Sequence, residues 1–527
     1  MKLCQEPGDA LETVGGWRQN GRVLLADIVA ASRTVAATRS RKAKVAALAD
    51  ALAAAAPEEI ETVASYLAGS LRQRRTGLGW RGVSDLPPPA ESPSLEVLEV
   101  HELFDRIAAM AGSGSQAARK AAVVELFGRA TEDEQAWLRG IVTGAVRQGA
   151  LDALLQEAVA AAAEVPLAVV RRSAMLAGST PEVAVAALTG GEEALAGFGL
   201  EVGRPVLPML ASSAPDLPAA MAKAGGGEVA VDVKLDGIRI QVHRSADTNL
   251  VVTRSLDDIT ARLPEVVAVA REVPATSFVL DGEAIALDED GRPRPFQETA
   301  SRTAMGSGVA VTPYFFDVLH VDGADLLDSP GRERAAALEA LVPERHRVPR
   351  LVTDDVDAAG AFLDDALAAG HEGVVVKNLA AVYDAGRRGS GWVKVKPVHT
   401  LDLVVLAVEW GSGRREGWLS NIHLGARDPD SGGFTMLGKT FKGMTDEMLA
   451  WQTERFTELA TSPVDRSSYV VEVRPEQVVE IAFDGIQRSS RYPGGMALRF
   501  ARVLRYRDDK TADEADTVEM VRSLHTA

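Results

Sequence analysis

A chain of 527 residues with 46% apolar side chains, a mean hydropathy near zero and no apolar run of the roughly 18 residues a membrane span needs reads as a soluble protein of about three domains. The one cysteine, Cys4, excludes disulfides and Cys-based zinc sites and fits a reducing cytoplasm, while Glu6, Asp9 and Glu12 stand where a signal peptide would be apolar. The net charge of −17 opposes a nucleic-acid partner. Affinity for phosphate depends on local patches, however, and residues 33–44, 72–81, 377–396 and 488–510 are four basic stretches, with a solvated helix face as the plain alternative for any one of them.

Residues 1–23 are acidic, Gly-containing and aperiodic, and read either as a disordered extension or as an upstream start before a natural one near Val23. From 24 to 200 the chain is Ala- and Leu-rich with helical spacing. KVAALADALAAAAPEEIETVASYLAG and TEDEQAWLRGIVTGAVRQGALDALLQEAVAAAA each read as an amphipathic helix ended by Gly or Pro. The texture changes near 205 to β-branched runs punctuated by Gly and Asp, with helical stretches such as RERAAALEALV between them, which predicts a mixed α/β domain to about 400. Short strands with glycine turns then run from LDLVVLAVEWG through VVEIAFDGIQRS over 401–517 and predict a small barrel, followed by a tail at 518–527. The fold class is therefore all-α, then α/β, then all-β, in one multidomain chain.

Chemistry concentrates in the middle third. Lys234 ends the run Val229, Val231, Val233 and precedes Asp236-Gly237-Ile-Arg239, giving Lys-x-Asp-Gly-x-Arg. A lysine facing a pocket behind a strand is costly unless used. By chance alone the pattern arises in on the order of one chain per hundred of this size, so the hexapeptide by itself reads as a surface lysine before a turn. Arg254 follows in VVTRSLDDIT. Asp281-Gly282-Glu283 closes the strand SFVL; by itself the tripeptide reads as a solvated turn, and beside the other elements it is expected to present a carboxylate there to a hard metal or a ribose hydroxyl. Tyr314-Phe315-Phe316-Asp317 is an aromatic strand, usually core. Glu372 and Lys377 bracket a buried-type strand, and Trp392-Val-Lys394-Val-Lys396 alternates so that both lysines face one way, a poor core and a good triphosphate clamp.

In that order these elements resemble motifs I, III, IIIa, IV and V of the ATP-dependent DNA ligases and their relatives, the RNA ligases and mRNA capping enzymes. LRFARVLRYRDDK is similar to motif VI, which ends Arg-x-Asp-Lys, here Arg507, Asp509 and Lys510, with Ala501 where the family commonly has proline. TGLGW and LRGIVTGAVRQGAL, with Arg139, Arg147 and Gln148, resemble the family's DNA-binding domain.

The resemblance implies a helical DNA-binding domain, a nucleotidyltransferase (adenylation) domain and a C-terminal OB-fold β-barrel. Lys234 would carry AMP as a phosphoramidate. Asp232 matches a position where the family usually has a glutamate that reads the adenine amino group. Arg239 and Glu283 would hold the ribose and nick-phosphate region, Phe316 would stack on adenine, and Arg254, Arg388, Lys377, Lys394 and Lys396 would be further nucleotide contacts. Glu372 and Glu283 would bind Mg²⁺, or Mn²⁺ in its place. Arg507, Asp509 and Lys510 would attend pyrophosphate.

Cationic neighbours (Arg239, Lys394, Lys396 and the metal) would favour the neutral amine of Lys234. The implied activity is sealing of nicked double-stranded DNA with ATP in replication, repair or recombination, by a cytoplasmic, nucleoid-associated monomer with no membrane contact. The junction Pro397–Asp402 would be a hinge. The rival is an RNA ligase or capping-type transferase, which generally lacks so long a helical module ahead of motif I. A non-catalytic binding protein would be expected to have lost Lys234, Glu283, Glu372 or Lys394.

Overall fold

The computed structural model describes residues 22–73, 75–146, 152–306, 308–384, 388–465 and 468–526. Residues 1–21, most of the expected N-terminal extension, lie outside them. Arg22 and Val23 belong to the folded body and not to a tail: Val23 is fully buried, its N–H donates to Glu59 Oε1 at 2.9 Å, and its carbonyl accepts from Val97 N at 3.0 Å.

The N-terminal third is helical, and its apolar stripes meet in one core that includes Leu25, Leu52, Tyr66, Phe104 and Phe127. Two long helices expected from periodicity are each divided. Pro57, which cannot continue a helix, separates Arg41–Ala54 from Ile60–Leu67. The second segment ends a helix at Val142, two residues before Gly144 takes a left-handed φ of 66°, and resumes at Asp152–Ala162. Thr131 and Glu134 cap the helix Glu132–Val142 reciprocally, satisfying backbone N–H groups that have no helical partner.

The middle region is built on two five-stranded sheets. Its strands are β1 (Leu210–Ser213), β2 (Val229–Lys234), β3 (Ile238–Ser245), β4 (Thr248–Thr253), β5 (Ser277–Ala286), β6 (Val311–Val321), β7 (Ala324–Asp325), β8 (Arg350–Thr353), β9 (Gly373–Asn378) and β10 (Arg388–Val395). One sheet has the order β1-β10-β9-β2-β8 and the other β4-β3-β5-β6-β7. Helices Leu217–Lys223 and Val356–Ala368 pack on the first sheet, and Pro264–Glu272 and Gly331–Leu341 on the second. A third apolar cluster joins Met175 and Leu176 of the helical region to Met209, Leu319, Tyr383 and Trp392, so the two regions share buried contacts.

The entry to the two-sheet region is fixed by polar brackets. Gln241 of β3 bonds both backbone groups of Val206, at 2.9 and 3.1 Å. The buried His243 ring accepts from Gly203 N at Nδ1 (3.0 Å) and donates from Nε2 to Gln241 Oε1 (2.7 Å), which defines a neutral tautomer. Burial pushes this imidazole down to about 4, with the nearby His320 contributing in the same direction. In the unfolded chain histidine protonates near 6.5, so between pH 6.5 and 4 the unfolded state binds more protons. The stability linked to His243 is thus complete above pH 6.5 and is lost as pH falls towards 4, amounting to about 3 kcal/mol. Urea unfolding at pH 7 and pH 4.5 should show wild type losing more than His243→Gln across that interval; equal losses would refute the assignment.

The C-terminal region contains β11 (His399–Trp410), β12 (Leu419–Asp428), β13 (Gly433–Thr440), β14 (Val470–Glu472), β15 (Val478–Phe483), β16 (Gly485–Arg488), β17 (Met496–Arg499) and β18 (Arg502–Tyr506). Its main sheet runs β13-β12-β11-β15-β18 with β14 paired to the far end of β11, and β16-β17 is a separate hairpin. The expected barrel does not close among the described residues. Between its two edges lies the backbone bond from Val503 N to Lys442 O at 2.9 Å, where Gly443, at φ 84°, leaves no room for a Cβ against Val503 O. The expected tail is also corrected: Val518–Thr526 is a helix, because Val518 and Val521 fall one turn apart and bury against the sheet.

Candidate active site

The two sheets of the middle region enclose a cavity of about 990 Å³. Its walls carry Lys234 and Asp232 from β2, Arg239 from β3, Glu283 from β5, Phe316 from β6, Lys377 from β9, Trp392 and Lys394 from β10, and Glu372 and Lys396 from the strand ends. Residues spread over 165 positions thus meet because β2, β9 and β10 are neighbours in register: Lys234 lies opposite Gly373, and Trp392 opposite Lys377. Arg254 also lines the cavity, from an exposed position after β4. Arg388 opens β10, and its side chain lies outside the described residues, as do Arg147 and Gln148. Arg139 is half-buried on the helix Glu132–Val142 and does not line the cavity.

Lys234 Nζ is ion-paired with Glu372 Oε2, and Lys396 Nζ holds the other oxygen at 2.6 Å. Burial would raise the Glu372 carboxyl, but the two ammonium groups, Lys234 foremost, bring it below the ordinary carboxylate range. The nearest charge to the lysine is therefore an acid. Of the expected cationic neighbours, Lys396 reaches it through this shared carboxylate. Across the cavity Glu283 is half-buried, and burial pushes its carboxyl up to about 7 against the opposing pull of Lys234 and Arg239.

The Asp-Gly-Glu tripeptide is not at a turn. β5 continues through it to Ala286, and Gly282 is needed because a Cβ there would lie 2.7 Å from Tyr314 O and 2.8 Å from the Phe315 ring. Asp281 and Glu283 share a strand face two residues apart. Asp281, 1% exposed, takes Arg239 in a two-pronged pair at 3.0 and 2.6 Å and accepts from Tyr383 OH at 2.7 Å. Arg239 also donates to Met209 O at 2.6 Å. The guanidinium is thereby fixed 5.5 Å from the ring centres of both Phe316 and Trp392.

Asp232 lines the cavity from β2 with its carboxylate already engaged. Both oxygens are engaged by Arg350, at 2.5 and 2.8 Å, and Lys377 adds a contact at 2.7 Å. Burial would raise this carboxyl, but Arg350 and Lys377 bring it below its ordinary value. Lys377 in turn sits 4.6 Å from the Phe316 ring centre and 4.4 Å from that of Trp392. The aromatic floor of the cavity is thus held by cations.

Arg507, Asp509 and Lys510 are not brought to the cavity. Arg507 Nη1 and Lys510 Nζ bind Asp402 at 3.0 and 2.7 Å, and Arg507 forms a second, two-pronged pair with Asp509. Another residue of the same stretch does reach it: Arg499 pairs with Asp236 at 2.7 Å, and Arg499 and Phe500 line the cavity mouth. Sequence reasoning left Asp281, Arg350, Tyr383, Trp392, Asp236 and Arg499 without roles. Asp281, Asp236, Trp392 and Arg499 all lay inside quoted motifs, whereas Arg350 and Tyr383 gave no signal.

A two-sheet core of this kind, entered by a strand-borne lysine and followed by a separate strand domain, is that of a nucleotidyltransferase-type ligase. Family models agree along the chain: DNA ligase N terminus over residues 81–160, ATP dependent DNA ligase domain over 208–396, and ATP dependent DNA ligase C terminal region over 415–510. A probable DNA ligase of Nocardioides sp. (strain ATCC BAA-499 / JS614) is 74% identical over 96% of this chain and 99% of its own length, and one of Kineococcus radiotolerans is 66% identical over 95% and 100%. The solved structure of Pmar-Lig_PreS3, at 17% identity, covers 91% of this chain and 99% of that one with a TM-score of 0.61, a likeness of fold. The chain belongs to the ATP-dependent DNA ligase family, whose members join DNA through a lysyl-AMP intermediate.

Proposed function

We propose that this chain seals nicks in duplex DNA in three steps carried by the cavity, with Lys234 as the residue that takes AMP. The observation that carries this reading is the Lys234–Glu372 pair at the head of a cavity banked with Lys394 and Lys396. The Lys234 ammonium, paired with Glu372 Oε2 at rest, first gives up a proton to water; the neutral amine then attacks the α-phosphate of ATP, the P–N bond forms as the bond to the β-phosphate breaks, and the second nitrogen proton leaves with pyrophosphate. AMP then passes to the 5′-phosphate of the nick. The 3′-hydroxyl displaces it to form the phosphodiester. Phe316 and Trp392 provide the aromatic surface for adenine, and Arg239, Arg254, Arg388, Lys377, Lys394 and Lys396 the positive field for ribose and phosphates.

Glu283 and Glu372 fit Mg²⁺, which takes one or two protein carboxylates and completes its shell with phosphate oxygens and water. Glu283 faces the cavity, where burial raises its carboxyl, and a divalent ion there would favour the ionised form. When bound, the ion would neutralise charge developing on the phosphates; Mn²⁺ suits the same oxygen donors.

The domain assignment follows: residues 24–200 bind DNA, 205–400 adenylate, and 401–517 form an OB-fold-type domain. Encirclement of DNA by one chain is supported by three pairs linking the regions in a circuit: Arg172–Asp328 at 2.6 Å, Asp236–Arg499 at 2.7 Å and Arg39–Asp446 at 3.6 Å. In this arrangement Arg507 and Lys510 are held on Asp402, away from the cavity, as suits the DNA-facing steps. Adenylation calls for rotation about the short link between β10 and β11, which spans Lys396-Pro397-Val398. No helix among the described residues is long and apolar enough to cross a membrane; a cytoplasmic, nucleoid-associated monomer serving replication, repair or recombination is the setting we assign.

Incubation with α-³²P-ATP or α-³²P-GTP, followed by a chase with nicked DNA, tests the reading. Label that survives denaturation, comes from ATP only and is discharged by nicked DNA with sealing is the expected result. Label that forms but is not discharged would point to an RNA or capping substrate instead. Binding should also be strongly salt-dependent: neutralising about 6–10 phosphates costs on the order of 10³–10⁵ in affinity between 50 and 200 mM salt. A flat plot of log K against log salt would exclude backbone contacts.

A further inference from the structure

The seam between the helical region and the two sheets reaches the cavity through Met209. The helix Leu167–Ala177 ends at Gly178, where a Cβ would lie 2.7 Å from Pro205 O, so helix end and linking segment are in close contact. Met175 O, in the last turn of that helix, accepts from Leu207 N at 2.9 Å, and Gln241 of β3 holds Val206. The segment is thus pinned at successive residues before it arrives at Met209. There both backbone groups are committed: the N–H donates to Tyr383 OH at 3.0 Å, and the carbonyl accepts from Arg239 Nη1 at 2.6 Å. The Met209 side chain is buried with Met175 and Leu176 of the helix against Tyr383 and Trp392. Its seat is tight, since a Cβ on Gly391 of β10 would lie 2.7 Å from Met209 Cε. Asp281 takes Nε and Nη2 of Arg239, so Met209 O holds the one guanidinium nitrogen that the carboxylate leaves over. Arg239 lines the cavity, and Met209 is not among the residues that do.

We propose that Met209 is a positioning residue for ATP: packed by the helical region, it sets Arg239, and through it that region tunes the cavity's hold on the nucleotide. This rests on the assignment of the cavity to ATP made above. A carbonyl is placed by its own chain, and here the chain is placed by the packing of the Met209 side chain. A charge-assisted bond weakens when its acceptor shifts, and a binding group loses its aim with it. Lys234 and Glu372 are held by each other and by Lys396, on strands the segment does not support in this way. The nucleophile is therefore independent of the seam, and the effect falls on nucleotide binding and not on bond formation.

The test follows lysyl-AMP formation by the full chain without DNA over a range of ATP concentrations. Met209→Ala keeps the carbonyl and removes its packing; KM for ATP should rise about tenfold, with kcat within about twofold of wild type. Met175→Ala, made on the helical side, should raise KM by about threefold, and Met209→Leu should restore the wild-type value. A change that merely destabilised the fold would lower the active fraction, and so kcat per mole of protein, without moving KM. A double-mutant cycle with Arg239→Met is read by equilibrium binding of α,β-methylene-ATP, which cannot adenylate the lysine. On that background Met209→Ala should weaken binding by less than about twofold, because the group it positions is gone. An unchanged KM in both alanine variants overturns the proposal, and so does a full second loss on the Arg239→Met background. Should Met209→Ala fail to fold, Met175→Ala decides by the same measurements. Wild type that takes no label from ATP overturns the ligase reading and this one together, whereas wild type that does, with KM unmoved in the variants, overturns this one alone.

Discussion

Lys234→Ala should lose sealing of an ordinary nick by on the order of 10⁴–10⁶, the scale on which removing a covalent nucleophile acts, yet should still close a nick whose 5′-phosphate already carries AMP. The two substrates separate the steps. Forming the P–N bond needs an amine at the end of β2, and no neighbouring group can replace it: Lys394 lies on β10, separated from β2 by β9, and Lys396, just past the end of β10, is held by Glu372. Closing a pre-adenylated nick requires only that the 3′-hydroxyl displace AMP, for which the cations and the aromatic floor remain. Retained charge is a separate matter, and Lys234→Arg addresses it. Arginine keeps the pair with Glu372 but stays protonated, so it too should fail to take label. Radiolabel on Lys234→Ala after denaturation would remove Lys234 from its assigned role. Loss of sealing on both substrates would show that the side chain positions the nucleotide as well as attacking it.

The same pair explains why the lysine is stable in the resting enzyme. An ammonium behind a strand needs a partner, and Glu372 Oε2 supplies one while Lys396 holds the other oxygen. The carboxylate that quiets the nucleophile is also the one read as a metal ligand. Engagement of Glu372 by a cation would loosen its hold on Lys234, so activation and substrate binding would be coupled through one side chain.

How much of this was legible beforehand depended on whether the signal was local. The lysine, the Glu-to-Lys strand and the alternating Lys394 and Lys396 were found because strand periodicity and spacing are written in consecutive residues. The Asp-Gly-Glu was found but misplaced. Gly282 reads as a turn when its crowding by Tyr314 and Phe315, on a strand thirty residues later, is invisible. Asp232 with Arg350 and Asp236 with Arg499 join positions 118 and 263 apart, and only the folded sheets bring them together. Pro57 and Gly144 divide the two long helices because a helix breaker outweighs the apolar spacing on either side of it. The last helix, Val518–Thr526, was missed because so short a segment has little propensity of its own and forms by docking Val518 and Val521.

Asp281→Ala is expected to be the most destabilising single change in the middle region among those considered, costing about 3–5 kcal/mol, because it strands a charge and not because it removes a favourable bond. Arg239 is half-buried, yet its guanidinium is enclosed by Asp281, Met209 O and Tyr383 OH, with the Phe316 and Trp392 rings alongside. Without the carboxylate the guanidinium keeps its charge and loses its counter-ion, and Tyr383 OH loses its acceptor at 2.7 Å. At roughly 2–4 °C per kcal/mol for a region of this size, melting should fall by about 10 °C. Asp281→Asn keeps the shape and one acceptor, and should lie between wild type and Asp281→Ala. If the stranded charge is the cause, Arg239→Met made on top of Asp281→Ala should recover part of the stability without recovering lysyl-AMP formation, since the ribose and phosphate contact would still be missing. Strict additivity of the two changes in a double-mutant cycle would defeat the explanation, as residues in direct contact are expected to couple by about 0.5–3 kcal/mol. Recovery of label incorporation in the double variant would instead assign Arg239 to structure alone.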